Sequence, residues 1–236
     1  MPVRQIITLG GGGFSMEPDN PLLDRFILSR ARQSFPNICF VATASGDSPT
    51  YTERFYTAFA GHDCHPTDLQ LFKRTVRDLE AFVLAQDVVY VGGGNVANLL
   101  AVWRTHGLDQ VLREAWERGI VLCGISAGMN CWFEQSVTDS FDLNQLRALH
   151  DGLGLLPGSG CPHYDGEPQR RPTYQQLIRT GALAAGWAAD DGAAIIFTDG
   201  SEPEVVSSRP TACAYRVHRT IDGVREQRLM ARYLGG

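Results

Sequence analysis

The chain has 236 residues, of which 44% are hydrophobic and 20% are charged, proportions that are typical of a soluble globular protein. Its formal net charge of −5 and a pI near 5.7 argue against a nucleic acid as the main partner. The first residues, MPVRQIITL, do not resemble a signal peptide, and no later apolar run is long enough to span a bilayer. We therefore expect a cytoplasmic protein.

Short apolar runs alternate with segments of helical periodicity along most of the chain. The apolar runs predict strands at residues 3–9, 38–42, 68–72, 87–91, 120–123 and 194–198. Amphipathic segments between them predict helices at 20–34, 50–60, 76–85, 96–103 and 108–118. More polar strands are expected at 205–208, 212–217 and 228–233. This order predicts a single α/β domain over residues 1–236, with a mostly parallel central sheet flanked by helices and antiparallel edge strands at the C-terminus.

Three glycine-rich turns follow predicted strands, at residues 10–13, 92–95 and 124–128. In an open parallel sheet, ligands bind beyond the carboxyl ends of the strands, so these turns are expected to line one site. The first two turns fit neither the G-x-G-x-x-G spacing nor the phosphate-binding P-loop, which disfavours a nucleotide ligand. The remaining interpretation of the 92–95 turn is that its backbone amides stabilise an oxyanion, whereas the 10–13 turn is expected to line the floor of the site.

The third turn has the sequence of a nucleophile elbow. Gly124, Ser126 and Gly128 form Gly-x-Ser-x-Gly directly after a buried apolar run. The glycines permit a turn too tight for side chains, and the serine hydroxyl is then exposed at the end of the strand. We expect the amide of Ala127 and one amide of the 92–95 turn to donate to an oxyanion. An ordinary tight turn is the alternative, because this motif also occurs by chance.

A serine nucleophile needs a base and a group that orients the base. His163 lies in an irregular stretch rich in glycine and proline, GSGCPHYDGEP, and is a better candidate than the histidines at predicted helix ends. Three acidic residues between the serine and the histidine are candidates for the orienting group, and spacing does not choose among them: Glu134, Asp139 and Asp142.

Neither a metal nor a cofactor is expected. The six cysteines are scattered without a C-x-x-C pair, which indicates reduced, structural thiols. The six histidines form no ligand cluster with convincing spacing.

The segment GISAGMNCW, with VGGGN before it and GLGLLPG and CPHYDGE after it, resembles the peptidase E family of serine peptidases, the aspartyl dipeptidases. Cyanophycinase is a more distant relative. The resemblance extends from the first predicted strand to about residue 178. It implies an amidotransferase-like (flavodoxin-like) fold and a cofactor-independent serine dipeptidase or exopeptidase that hydrolyses short peptides. A homodimer is compatible with this interpretation.

The resemblance also implies roles for the residues that match the family motifs. Ser126 corresponds to the nucleophile and His163 to the base. Asp139 falls closest to the acid of the triad, with Glu134 and Asp142 as alternatives.

The backbone of the glycine-rich turns is expected to bind the substrate. The resemblance implies that Gly94 and Ala127 are the oxyanion donors. Their neighbours Gly93 and Asn95 are then expected to contact the substrate.

Substrate preference is expected to depend on a cation near the site. Family members selective for N-terminal aspartate use such a cation to bind the side-chain carboxylate, and Arg170 and Arg171 are the candidates. The alternative places both arginines on a solvated loop and shifts the preference toward N-terminal Met or Ala.

Two other functions stay open. An α/β-hydrolase esterase would share the order serine, acid, histidine, but Ser126 and His163 are only 37 positions apart and no HGGG-type loop is present. The second is a non-catalytic protein that uses the same fold to bind a small ligand.

Overall fold

The computed structural model describes residues 2–236 and arranges them in two β-sheets. The larger sheet contains five parallel strands in the spatial order β1-β5-β4-β2-β3. Their bounds are β1 (Gln5–Leu9), β2 (Asn37–Val41), β3 (His65–Leu69), β4 (Val88–Val91) and β5 (Val121–Ile125). They run parallel because a helical crossover separates each strand from the next.

Helices cover both faces of this parallel sheet. Alternate residues of each strand point to opposite faces and join two different hydrophobic clusters. One face packs against α1 (Gly13–Met16), α2 (Leu22–Ser29) and α3 (Pro49–Phe59). The other packs against α4 (Leu79–Leu84), α5 (Val96–His106) and α6 (Leu108–Glu117). Within residues 2–236, no helix combines the length and the apolar character needed to cross a bilayer.

Antiparallel strands extend the larger sheet beyond β1, which confirms the expected C-terminal edge. β10 (Ala193–Thr198) pairs with β1, and β11 (Glu204–Ser207) pairs with β10, both antiparallel. The short β14 (Arg232–Tyr233) completes this side of the sheet.

A second sheet of six strands was not expected from the sequence. It is ordered β13-β12-β9-β8-β6-β7. Its strands are β6 (Phe133–Thr138), β7 (Arg147–Leu149), β8 (Leu156–Cys161), β9 (Gly186–Ala189), β12 (Cys213–Thr220) and β13 (Gly223–Met230). The strand predicted at 212–217 and the first half of the one predicted at 228–233 therefore belong to this sheet, whereas residues 232–233 form β14 of the larger one. α8 (Arg170–Thr180) packs against β12 and β13.

Close packing at glycines explains why part of the second sheet was missed. A β-carbon on Gly160 of β8 would lie 2.6 Å from the Phe133 ring, and one on Gly158 would lie 2.3 Å from the carbonyl oxygen of Ala185. These positions require glycine, whereas strand prediction relies on β-branched and aromatic residues. The LPGSGC segment therefore lacks the usual pattern of a strand.

Strand β3 lies three residues before the predicted position of 68–72. It pairs with β2 alone and is partly exposed, so it does not have a continuous apolar run. The Asp47 carboxylate accepts the amides of Leu71 and Phe72 at 2.6 and 2.7 Å. These bonds hold the apolar residues after β3 outside the sheet.

All six cysteines are free and buried, as their scattered spacing predicts. Burial raises the pKa of the Cys39 thiol to about 12. It also raises the pKa of the thiols at Cys64, Cys123, Cys131 and Cys161. These cysteines pack as small apolar side chains.

We predict that Phe55→Ala lowers the free energy of unfolding by about 3–5 kcal/mol, because it removes a fully buried ring. The Phe55 ring stacks on that of Phe40 with centroids 4.9 Å apart and meets that of Phe14 at 5.6 Å. Urea denaturation measures the change. Phe72→Ala is the control, since the Phe72 side chain is 56% exposed. Equal losses in the two variants would contradict this account of the core.

Candidate active site

The three glycine-rich turns meet at one edge of the larger sheet, because β1, β5 and β4 are neighbours. The Ser126 amide donates to the carbonyl of Leu9 at 3.2 Å, and a β-carbon on Gly93 would lie 3.3 Å from that of Ser126. A cavity of about 240 Å³ opens at this edge. It is lined by Ser15, Met16, Tyr51, Arg54, Gly93, Ile125, Ser126 and His163.

Ser126 lies in a sharp turn between β5 and the one-turn helix α7 (Ala127–Asn130). Its backbone has φ 58° and ψ −112°, a conformation that side-chain-bearing residues rarely adopt. Close approach of Gly124 to Gly128 makes the turn possible, since a β-carbon on Gly124 would lie 2.3 Å from the Gly128 carbonyl oxygen. The Gly-x-Ser-x-Gly motif therefore places a strained serine at the cavity.

The amides of Gly94 and Ala127 have no hydrogen-bond acceptor among the described residues 2–236. Gly94 has φ 136°, and a β-carbon there would lie 2.2 Å from the Ala44 carbonyl oxygen, so this position requires glycine. An oxyanion bound by these two amides would therefore displace no acceptor within residues 2–236. The amide of Gly93, in contrast, donates to the Tyr51 hydroxyl at 3.2 Å.

The Asn95 side chain holds this turn in place. Its Oδ1 accepts the Asn98 amide at 2.8 Å, which caps the N-terminus of α5. Its Nδ2 donates to the carbonyl of Ser140, also at 2.8 Å. The side-chain amide of Asn95 is therefore bonded to protein groups at both ends, and its backbone amide donates to the Ala44 carbonyl at 2.8 Å.

His163 is hydrogen-bonded to an acid that sequence reasoning did not identify. Its Nδ1 donates to Asp191 Oδ1 at 2.7 Å, and the two side chains are only 12% and 11% exposed. His163 has φ 52°, and its amide donates to the Gly10 carbonyl at 3.1 Å, which fixes the imidazole beside the first glycine-rich turn. Asp191 lies where the chain passes from β9 of the second sheet to β10 of the larger one.

Two glycines allow the Asp191 carboxylate to reach the imidazole. A β-carbon on Gly11 would lie 2.0 Å from Asp191 Oδ1, and one on Gly166 would lie 2.2 Å from Oδ2. The Asp191 amide also donates to Asp165 Oδ1 at 2.8 Å. This packing gives a physical reason for the glycines in the GGGG turn and in the HYDGE segment.

The three carboxylates expected beside His163 lie elsewhere, which corrects the predicted acid. Asp139 is 3.7 Å from the Arg170 guanidinium. Glu134 accepts an amide of β8 at 2.8 Å, and Asp142 accepts an amide of its own turn at 2.9 Å. All three candidates lie between serine and histidine, whereas the partner of the histidine follows it in the chain.

Arg170 and Arg171 do not line the cavity, contrary to expectation. Arg170 is 4% exposed and donates to Glu167 at 2.5 Å and to a backbone carbonyl of β6 at 3.3 Å. Arg171 pairs with Glu226, and its guanidinium lies 5.3 Å from the centroid of the Tyr164 ring. The N-terminal turn of α8 directs both guanidinium groups toward the second sheet.

Arg54 is the cation among the residues that line the cavity, and none of those residues is acidic. It lies on α3, which follows β2 and therefore begins at the same edge of the sheet as the glycine-rich turns. Its exposed guanidinium donates to the Ser15 carbonyl. The sequence could have indicated Arg54 in one way, because its helix α3 follows a central parallel strand.

The chemistry available here is that of a hydroxyl, an imidazole and backbone amides. A serine on a strained turn, a histidine oriented by a carboxylate and two free amides are the groups that acyl transfer requires. Within residues 2–236, no three His, Cys, Asp or Glu side chains lie close enough together to hold a metal ion.

Comparison with known sequences identifies relatives over almost the whole chain. The model of peptidase family S51 matches residues 6–204. The uncharacterized peptidase YgaJ of Bacillus subtilis (strain 168) is 53% identical over 234 residues, which cover 99% of this chain and 100% of that protein. Peptidase E of Streptomyces coelicolor is 31% identical over 150 residues, or 60% of this chain and 58% of that protein.

Two solved structures share the fold. A peptidase from an acI-B1 Actinobacterium matches 97% of this chain and 95% of its own, with a TM-score of 0.75 and 19% identity. A putative peptidase E protein from Listeria monocytogenes EGD-e matches 87% of this chain and 98% of its own, with a TM-score of 0.64 and 19% identity. At this identity the likeness concerns the fold alone.

We predict that Ser126→Gly is more stable to unfolding than Ser126→Ala by about 1 kcal/mol. Glycine relieves the backbone strain of a positive-φ residue, which is about 1–3 kcal/mol. This gain exceeds the about 0.4–1 kcal/mol that glycine costs by raising the conformational entropy of the unfolded chain. The alanine variant keeps the strained backbone and is the matched control. Urea denaturation of both variants measures the difference, and a less stable glycine variant would show that the turn is not strained.

Proposed function

The chain belongs to peptidase family S51 and is a peptidase, and from this premise we propose that it is a serine-type dipeptidase or exopeptidase acting on short peptides. One observation carries the proposal: the 2.7 Å hydrogen bond between His163 and Asp191, at a cavity that the strained Ser126 also lines. An imidazole whose Nδ1 donates to a carboxylate has its Nε2 free to accept a proton.

In the proposed mechanism, Ser126 attacks the peptide carbonyl while His163 Nε2 takes the hydroxyl proton. Asp191 stabilises the resulting imidazolium. The turn at Ser126 acts as a nucleophile elbow, and the free amides of Gly94 and Ala127 donate to the oxyanion.

The remaining steps restore the enzyme. The imidazolium of His163 protonates the departing amine as the carbon–nitrogen bond breaks, which leaves an acyl ester on Ser126. Water then attacks this ester with His163 again acting as base. Collapse of the second tetrahedral intermediate releases the acid and returns the proton to Ser126.

The order of the proposed triad separates this protein from an α/β-hydrolase. The acid follows the histidine here, giving the order Ser126, His163, Asp191, whereas α/β-hydrolases have the acid between serine and histidine.

A preference for N-terminal aspartate requires a cation beside the substrate side chain. A preference for N-terminal Met or Ala does not. Since Arg170 and Arg171 are bonded to other groups, the aspartate preference does not rest on them. Arg54 is the cation at the cavity and becomes the residue on which the choice depends.

Covalent labelling tests the proposed function directly. A fluorophosphonate should modify Ser126 of the wild-type protein, and amine should be released from at least one of Asp-X, Met-X, Ala-X and Lys-X. Ser126→Ala should show neither. Blocked and longer peptides in the same panel define the exopeptidase mode. Equal release by both proteins would contradict the mechanism, and absence of labelling would favour a non-catalytic ligand-binding protein.

We predict that Asp191→Asn lowers kcat by about 10⁴-fold, because an amide no longer fixes the imidazole tautomer or stabilises its cation. Asp139→Asn is the matched control and should change kcat by less than about tenfold, since its carboxylate pairs with Arg170 and not with His163. Circular dichroism checks that both variants are folded. A larger loss of kcat in Asp139→Asn than in Asp191→Asn would indicate that Asp139 is the acid of the triad.

A further inference from the structure

Six consecutive backbone amides, those of residues 93–98, run from the glycine-rich turn at 92–95 into α5. Five of them donate to an acceptor within the protein. The acceptors are the Tyr51 hydroxyl, the Ala44 carbonyl, the Asn95 side chain and the Ser140 hydroxyl, which accepts two amides. The sixth amide is that of Gly94, so this segment presents a single amide that has no acceptor among residues 2–236.

Ser140 accepts three of the hydrogen bonds that hold this segment. Its Oγ accepts the Val96 amide at 3.0 Å and the Ala97 amide at 3.4 Å, and its carbonyl accepts Asn95 Nδ2 at 2.8 Å. Ser140 is itself held by Thr138, the last residue of β6, whose Oγ1 accepts the Ser140 amide at 3.1 Å. The two hydroxyl oxygens are 2.8 Å apart. The second sheet is therefore bonded to the first turn of α5 through one serine.

The 92–95 turn needs support from outside, because three of its four residues are glycines. Glycine has little preference for one backbone conformation, so the turn does not by itself fix the direction of the Gly94 N–H. An oxyanion donor is effective only when it is aimed in advance at the place where the charge develops. The bonds to Asn95 and Val96 restrict the backbone on one side of this N–H, and the Tyr51 hydroxyl restricts it on the other.

The Ser140 hydroxyl also removes competitors of the Gly94 amide. The N-terminal amides of a helix attract anions. Without an acceptor, the amides of Val96 and Ala97 would be open donors only a few positions along the chain from that of Gly94. An oxyanion could then bind to them in a geometry that does not suit reaction at Ser126.

We propose that Ser140 is a positioning residue of the active site, which holds the 92–95 turn so that the Gly94 amide is the one that meets the oxyanion. This inference rests on the proposed function and adds to it a residue that does not line the cavity. Ser140 acts through Gly94 and does not touch the substrate. Because the oxyanion forms only during the reaction, loss of the Ser140 hydroxyl should affect turnover more than substrate binding.

Three variants test this role. Ser140→Ala removes the acceptor of the Val96 and Ala97 amides, and Ser140→Thr keeps a hydroxyl at the same position. Asp78→Ala is the matched control, because the Asp78 carboxylate accepts the Ala81 amide at 3.0 Å and caps α4. Asp78 is exposed and does not line the cavity. Both alanine variants remove a side-chain acceptor from the first turn of a helix, so both should unfold at a lower urea concentration than wild type.

Only Ser140→Ala should slow the reaction. We expect its kcat and kcat/KM for a cleaved dipeptide to fall together by about 10- to 100-fold, a smaller loss than the about 10²- to 10³-fold that follows removal of an oxyanion donor. Its KM should stay within about twofold of the wild-type value. Ser140→Thr should retain most of the wild-type kcat, and Asp78→Ala should retain all of it.

Two kinetic results would overturn the inference. A purely structural role of Ser140 would lower the stability of Ser140→Ala and leave the kcat of its folded form unchanged. A role in substrate binding would raise KM at unchanged kcat.

The rate of Ser126 labelling gives a second measurement, which needs no turnover of a peptide. The phosphoryl oxygen of a fluorophosphonate takes the position of the oxyanion when the serine attacks, so Ser140→Ala should be labelled more slowly than wild type. If wild type is labelled but cleaves no dipeptide, slower labelling of Ser140→Ala supports the inference and equal labelling overturns it.

This labelling also keeps failure of the inference distinct from failure of the proposed function. If wild type is labelled and cleaves peptides, but Ser140→Ala equals it in both rates, the role of Ser140 is overturned and the serine mechanism stands. An unreactive Ser126 in the wild-type protein overturns both.

Discussion

The contact between the His163 imidazole and the Asp191 carboxylate is the constraint on which the arrangement of the site depends. It requires Gly11 on one side of the carboxylate and Gly166 on the other, so the first turn of the larger sheet and the loop after β8 both meet at this point. Ser126 comes from the larger sheet, whereas the histidine follows a strand of the second. The second sheet is therefore part of the site's construction, because it supplies the imidazole and delivers the acid through the crossing from β9 to β10.

Features encoded locally could be predicted from the sequence. Four of the five parallel strands are buried apolar runs, the turn at Ser126 has a motif with a steric reason, and His163 lies in an irregular glycine-rich loop. The carboxylate that binds His163 could not be found in this way, because Asp191 is 28 positions from the histidine and its segment resembles an ordinary turn. Part of the second sheet was hidden for a different reason: Gly158 and Gly160 lie where other backbone and side-chain atoms leave no room for a β-carbon.

The cation at the cavity shows the difference between proximity in sequence and proximity in space. Arg170 and Arg171 follow the histidine closely along the chain, but α8 packs on the second sheet and directs them there. Arg54 is more than 70 positions from Ser126, yet α3 begins after β2, the strand beside β4. In a parallel sheet, side chains meet when their strands are neighbours, so the order of strands decides which distant residues share a cavity.

The burial of the cysteines has a consequence for the conditions under which the protein can work. Oxidants attack the thiolate form of an accessible cysteine, and burial raises the thiol pKa at five of the six cysteines, which keeps them protonated. The serine nucleophile that we propose likewise needs no reductant to stay active. Hydrolysis by this protein is therefore expected to continue under oxidative stress that silences enzymes with a catalytic thiol.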